Sequence, residues 1–141
     1  VQSNLLCFLI DDDLDDQEIF CMALDEVNPA IQRVIASDGE EGIQKLNRDP
    51  LSPPHYIFLD LNMPRMNGIE CLKEIKKIKH LEKTKIIIYS TTDAMNVREV
   101  TRALGADDFI VKPPSLTKLV AFLSEVMKGN DTNGNDGKNR S

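Results

Sequence analysis

The 141-residue chain has no CxxC pair, no long hydrophobic run and no excess of positive charge. Each absence removes a class of function. Cys7, Cys21 and Cys71 are odd in number, far apart and set among apolar neighbours. That excludes a disulfide framework and a zinc site, and leaves buried free thiols in a reducing compartment. Near the start, the apolar run Leu5 to Ile10 is six residues long and follows no basic segment. A signal peptide or a membrane span needs more, so a cytoplasmic location without membrane contact is expected. A net charge of −6 argues against a nucleic-acid partner, because duplex-binding surfaces are usually basic. A Gly-rich or Ser/Thr-rich phosphate loop is also missing after the first apolar run. Aspartates stand there instead and would repel a nucleotide phosphate, which weakens a flavodoxin-like nucleotide binder.

What the chain does contain is FLIDDDLDD, Phe8 to Asp16, in which an apolar run meets five aspartates. Two unit charges about 4 Å apart repel by roughly 1 kcal/mol in water and about 4 at a half-buried site. The rest of the sequence suggests why such repulsion is tolerated. Leu5–Ile10 reads as a strand covered on both faces, followed by a helix over 16–27 that ends at Asn28-Pro29. Further strands are expected at 33–36, 56–59, 85–89 and 108–111. Helices follow at about 37–47, 68–79, 94–104 and 115–128. Ser37 and Glu40 have capping-box spacing, Gly105 suits a helix C-cap, and the proline-rich segment 49–54 must be loop. Residues 129–141 lack an apolar anchor and are expected to form a disordered polar tail. The tail's sequons have no meaning without secretion, and its Asp/Asn spacing fails as a calcium loop.

Strand followed by helix, five times over, implies a doubly wound α/β domain with a five-stranded parallel sheet. Function in such sheets gathers beyond the carboxyl ends of the strands. Asp11 to Asp13, Asp60, Ser90 and Lys112 all fall at those ends. If the first and third strands are neighbours, their carboxylates converge, and hard oxygen ligands with surplus negative charge suit Mg²⁺. A dication would also relieve the repulsion in FLIDDDLDD. Asp60 beside such a metal can attack phosphorus, with the Lys112 ammonium and the Ser90 hydroxyl placed to meet phosphoryl oxygens. Asp15 and Asp16 are expected to cap the following helix and complement its dipole. Asp13 lies between rim and site without an assignment.

The pieces FLIDDD, YIFLDLNMPRMNG, IIIYST and GADDFIVKP together resemble the receiver domain of two-component response regulators, over about Leu5 to Lys128. The resemblance implies a flavodoxin-like (βα)5 fold with strand order 2-1-3-4-5 and a domain over 1–128. It implies that Asp60 is the phosphoacceptor and that Mg²⁺ is held by Asp12, Asp60, the backbone carbonyl of Asn62 and, through water, Asp11. Ser90, Thr91, Lys112 and Phe109 would contact the phosphoryl group or switch with it. The bond before Pro113 would be cis, which an X–Pro amide reaches cheaply. Asn62 and Thr92 would tune the lifetime of the phosphoryl group.

A stand-alone signalling protein rather than an enzyme is then expected. It would be phosphorylated by a sensor histidine kinase or phosphotransfer protein. A downstream protein would read the face of the fourth helix, fifth strand and fifth helix, roughly Ala94 to Lys128. Dimerisation through that face stays open. Two departures from the family pattern stand out. Phe109 lacks the hydroxyl of the tyrosine often found there, and Pro114 replaces a commoner apolar residue. The rival from the enzyme class is a haloacid-dehalogenase-like aspartyl-phosphate hydrolase. Its D-x-D motif fails here at Asn62, which has no carboxylate to act as general acid.

Overall fold

The computed structural model describes residues 4–48, 52–92 and 94–133. Apolar runs too short for helices become strands: β1 (Leu6–Ile10), β2 (Gln32–Ala36), β3 (Tyr56–Leu59), β4 (Lys85–Ser90) and β5 (Asp108–Val111). Each is followed by a helix: α1 (Leu14–Val27), α2 (Gly39–Arg48), α3 (Gly68–Lys76), α4 (Met95–Ala103) and α5 (Leu116–Asn133). The five strands form one parallel sheet in the order β2-β1-β3-β4-β5. This is the flavodoxin-like order expected from the sequence.

The period-two alternation of side chains divides the core between the two faces of the sheet. Cys7, Leu9, Tyr56, Phe58, Ile87 and Tyr89 point to one face and pack on Phe20 and Leu24 of α1 and Leu119, Leu123 and Met127 of α5. Their alternates Phe8, Ile10, Ile57, Leu59, Ile86 and Ile88 point to the other, where α2 and α3 supply Leu46, Cys71, Leu72 and Ile75. Burial on both faces explains the uninterrupted apolar runs. Phe20 joins the aromatic contacts at the centre, edge-on to Phe58 with ring centroids 4.9 Å apart.

Several local expectations shift. The N-cap of α1 is Asp13, whose carboxylate accepts from the Asp16 N–H at 3.0 Å. Asp15 and Asp16 sit inside the first turn, where their charge favours the helix dipole without capping it. The cap before α2 is Asp38 rather than Ser37. Its carboxylate accepts from the Glu41 N–H at 2.8 Å, and Glu41 reaches back to the Ser37 N–H at 2.7 Å. The capping pattern therefore lies one residue further on, because two glutamates stand side by side and the second has the reach.

Helix α3 stops at Lys76, and a separate 3-10 turn follows over Lys79–Leu81. Gly105 adopts φ +107, as a left-handed helix terminus requires. Helix α5 continues through Asn133, five residues past its expected end at Lys128. Propagating a formed helix adds a hydrogen bond per residue, and no proline stops it. Residues 134–141, with the rest of the expected tail, and 49–51 of the expected loop lie outside the described residues.

Candidate functional site

The sheet ladder itself assembles the site. The Asp60 N–H donates to the Ile10 carbonyl and the Asp11 N–H to the Ala36 carbonyl, each at 3.0 Å, while the Lys112 N–H donates to the Ser90 carbonyl at 2.8 Å. These residues thus follow their strands directly, held by backbone pairing rather than by loop conformation. Gln17 pins the corner after β1, donating to the Asp11 carbonyl at 2.7 Å and to Ser37 Oγ at 3.1 Å.

Asp11, Asp12 and Asp60 each offer a carboxylate oxygen, all within 4.8 Å of one another. Asp11 and Asp60 are buried and Asp12 is exposed. Oδ1 of Asp60 accepts from the Asn62 N–H at 3.3 Å, and Oδ1 of Asp11 accepts from the Asp13 N–H at 3.0 Å. Asp11 Oδ2 is buried without a hydrogen bond, although the Lys112 ammonium lies 2.9 Å away. A buried anionic oxygen with an unused lone pair fits a metal-bound water, and three carboxylates make a donor set for a hard dication.

Lys112 is the cation of the site. Its Nζ lies 2.6 Å from Asp16 Oδ2, 2.9 Å from Asp11 Oδ2 and 3.6 Å from Asp60 Oδ2. It also sits 5.3 Å from the centre of the Tyr89 ring. Burial opposes the lysine's charge, but its contacts with Asp16 and Asp11 and the charge of Asp60 prevail, holding its pKa above the usual lysine range. Burial pushes the Asp11 carboxyl up to about 6, against the Asp13 N–H and Lys112. Asp60 is raised too, mainly by burial and further by Asp12, with Lys112 and the Asn62 N–H opposing.

The flanking residues occupy the rim. Ser90 is buried, and its Oγ accepts from the Thr92 N–H at 3.2 Å. Thr91 beside it is exposed. The Asn62 side-chain amide donates to Thr92 Oγ1 at 3.1 Å, joining the loops after β3 and β4. Phe109 is half-buried against the core face that carries α3 and α4, with the Arg98 guanidinium 4.6 Å from its ring centre. Gly68 closes the β3–α3 loop. A Cβ there would stand 2.4 Å from Leu61 Cα and 2.5 Å from the Asp60 carbonyl oxygen.

One site expectation fails: the described residues contain no cis peptide bond, so the bond before Pro113 is trans. The two forms of an X–Pro amide differ by only about 0.5–1 kcal/mol, so local context decides. In the trans form Lys112 already reaches three carboxylates. The residue that the sequence reading missed is Asp16, assigned to a cap yet turned onto Lys112. Its signal was an excess of aspartates over capping positions.

Comparison with known proteins adds the family. The description of the response regulator receiver domain matches residues 7–124. The chain belongs to this family. It is 30% identical over 115 residues to the chemotaxis protein CheY of Thermotoga maritima, covering 82% of this chain and 94% of that protein. Its fold superimposes on the phosphorylated cyanobacterial phytochrome response regulator RcpA with a TM-score of 0.80 and 25% identity, covering 90% of this chain and 94% of the other. The CheX-CheY-BeF3-Mg complex from Borrelia burgdorferi gives a TM-score of 0.74 at 25% identity, with 88% and 87% covered.

Other relatives are much longer. The receiver spans 26% of a protein-glutamate methylesterase/protein-glutamine glutaminase 1 of Methanospirillum hungatei and 49% of a CpxR homolog of Haemophilus influenzae. Among the described residues, no helix of this receiver is long and apolar enough to cross a membrane.

Proposed function

We propose that this receiver accepts a phosphoryl group on Asp60 from a phosphohistidine of a sensor kinase or phosphotransfer protein. In that step an Asp60 carboxylate oxygen bonds to phosphorus, the phosphorus–nitrogen bond breaks, and the imidazole leaves and takes a proton. The reading rests on one observation: a buried carboxylate at the tip of β3 faces a half-buried ammonium and two further carboxylates. Asp12, Asp60, the Asn62 carbonyl and, through water, Asp11 would hold Mg²⁺. The ion would supply positive charge opposite the phosphoryl oxygens. Lys112 and Ser90, with Thr91 at the rim, contribute this chain's own contacts to those oxygens. The added charge of about −2 biases the positions of Lys112, Ser90 and Phe109.

The output surface in this reading is α4–β5–α5, where Phe109 lies under Arg98 and Met95 and Val100 are exposed. A downstream protein, or a second copy of the chain, would bind there. The chain's overall net charge of −6 favours proteins over nucleic acid as partners and is compatible with a cytoplasmic role.

The test is incubation with Mg²⁺ and acetyl phosphate, followed by assay for an acid-stable, base-labile adduct. Wild type is expected to label and Asp60→Asn not to; equal labelling overturns the assignment. Turnover of a free phosphomonoester would favour the hydrolase instead, but Asn62 supplies no general acid for it.

A further inference from the structure

The carboxylate of Asp16 neither caps α1 nor belongs to the acidic triad at the strand ends. Asp13 does the capping, and the Asp16 side chain instead makes the shortest contact of the site's ammonium, 2.6 Å against 3.6 Å for Asp60. The root of the side chain is fixed, because the Asp16 N–H is bonded to Asp13 Oδ1 at 3.0 Å. Its outer edge is wet, with 29% of the side chain exposed, while Lys112 is 10% exposed. An ion pair in such a half-buried setting is worth more than one in open solvent and is not trapped by full desolvation.

An ammonium has three N–H donors. Asp16, Asp11 and Asp60 converge on it from three sides of the site. A phosphoryl group on Asp60 brings further anionic oxygens that need the same donors, and the nearest competitor for them is Asp16. Building on the assignment of Asp60 as phosphoacceptor, we propose that Asp16 is a positioning residue. It holds Lys112 back from unmodified Asp60 and competes with the arriving phosphoryl group for the ammonium. Asp16 is thus a brake on phosphorylation, acting through Lys112 without touching the reacting atoms. Full engagement of Lys112 by the phosphoryl oxygens weakens the Asp16 contact.

The experiment is a titration of the full chain with beryllofluoride, a phosphoryl mimic, at saturating Mg²⁺, followed by NMR. Asp16→Asn removes the competing charge and is expected to bind beryllofluoride about tenfold tighter than wild type. Asp16→Glu, which keeps the charge, is expected to remain close to wild type. Unchanged or weaker affinity in Asp16→Asn overturns the proposal, as does an Asp16→Glu that behaves like Asp16→Asn.

A second measurement needs no variant. In wild type the Asp16 carboxyl ¹³C resonance is expected to shift as beryllofluoride saturates the site, and a resonance that does not move also overturns the proposal. Failure of wild type to bind beryllofluoride at all would sink the assignment of Asp60 instead. Asp60→Asn, expected not to bind, separates the two failures.

Discussion

The side-chain amide of Asn62 donates to the hydroxyl of Thr92 across 3.1 Å, a bond between two loops that belong to different strands. It bridges the approach to Asp60, since the Asn62 N–H is itself bonded to Asp60 Oδ1. Asn62→Ala and Thr92→Val are each expected to shorten the lifetime of the aspartyl phosphate about two- to fivefold by admitting water. The double variant is expected to do no more than either single, because both remove one shared interaction. Phosphate release after removal of the donor measures this, and additive effects would contradict it.

Replacing Asp60 with asparagine should make the metal-free protein more stable. Asp60 is buried beside Asp11 and Asp12, and one ammonium serves this whole group. Removing a like charge at this range is worth about 1–4 kcal/mol at a partly buried site. Urea unfolding in EDTA is the measurement, with a raised midpoint and unchanged slope as the expected result.

The metal-free protein is expected to lose stability as pH rises from about 4 to about 6. The Asp11 carboxyl is raised by burial from 3.8 to about 6 in the fold. Its protonated form is therefore favoured by folding. That contribution is fully present below the unfolded value and is lost as pH rises through the folded one. Asp11→Asn should show a shallower decline, the remainder belonging to Asp60, whose carboxyl burial also raises. Mg²⁺ binds the ionised carboxylates and should restore more stability above pH 6 in wild type than in the variant. Thermal melts across pH, with and without Mg²⁺, resolve the two curves.

Gly68→Ala is expected to cost about 1–3 kcal/mol, the usual range for forcing extra atoms into a packed position. The added methyl would meet backbone, at Leu61 Cα and the Asp60 carbonyl oxygen, rather than a side chain able to swing away. Relief then requires the β3–α3 loop to move, so Mg²⁺ affinity should fall along with the melting temperature.

Two of the three thiols should resist thiol–disulfide exchange. Burial pushes Cys7 and Cys71 up to about 12, and both are fully enclosed by the core. A thiol of that pKa has almost no thiolate at pH 8. Native protein is expected to react with Ellman's reagent at Cys21 alone, and unfolded protein at all three.

Much of this architecture was legible in the sequence because the central strands β1, β3 and β4 are buried on both sides and the edge strands keep short apolar runs. Tyr56–Leu59 and Asp108–Val111 are bounded in the sheet by the residues that bound their apolar runs. The placement of Asp11, Asp60, Ser90 and Lys112 followed from the same runs, since each residue stands at a strand end. Helix ends were less legible. Adjacent acidic residues offer several capping choices of similar energy, so Asp13 and Asp38 took the roles expected of their neighbours. Asp16 was misread for a different reason. Its partner Lys112 is 96 positions away, and local spacing carries no information about that distance.

The register of the sheet makes the centre sensitive to insertion and deletion in a way that substitution does not reveal. Ile10 pairs with Leu59, and the Asp60 N–H is bonded to the Ile10 carbonyl. Loss of one residue from β1 would carry Asp11 about 3.3 Å along the strand while reversing which face each side chain occupies. The hydrophobic alternation would then force the chain to choose between a buried core and an aligned acidic cluster. Length variation should therefore be tolerated in the connecting loops and refused within β1 and β3.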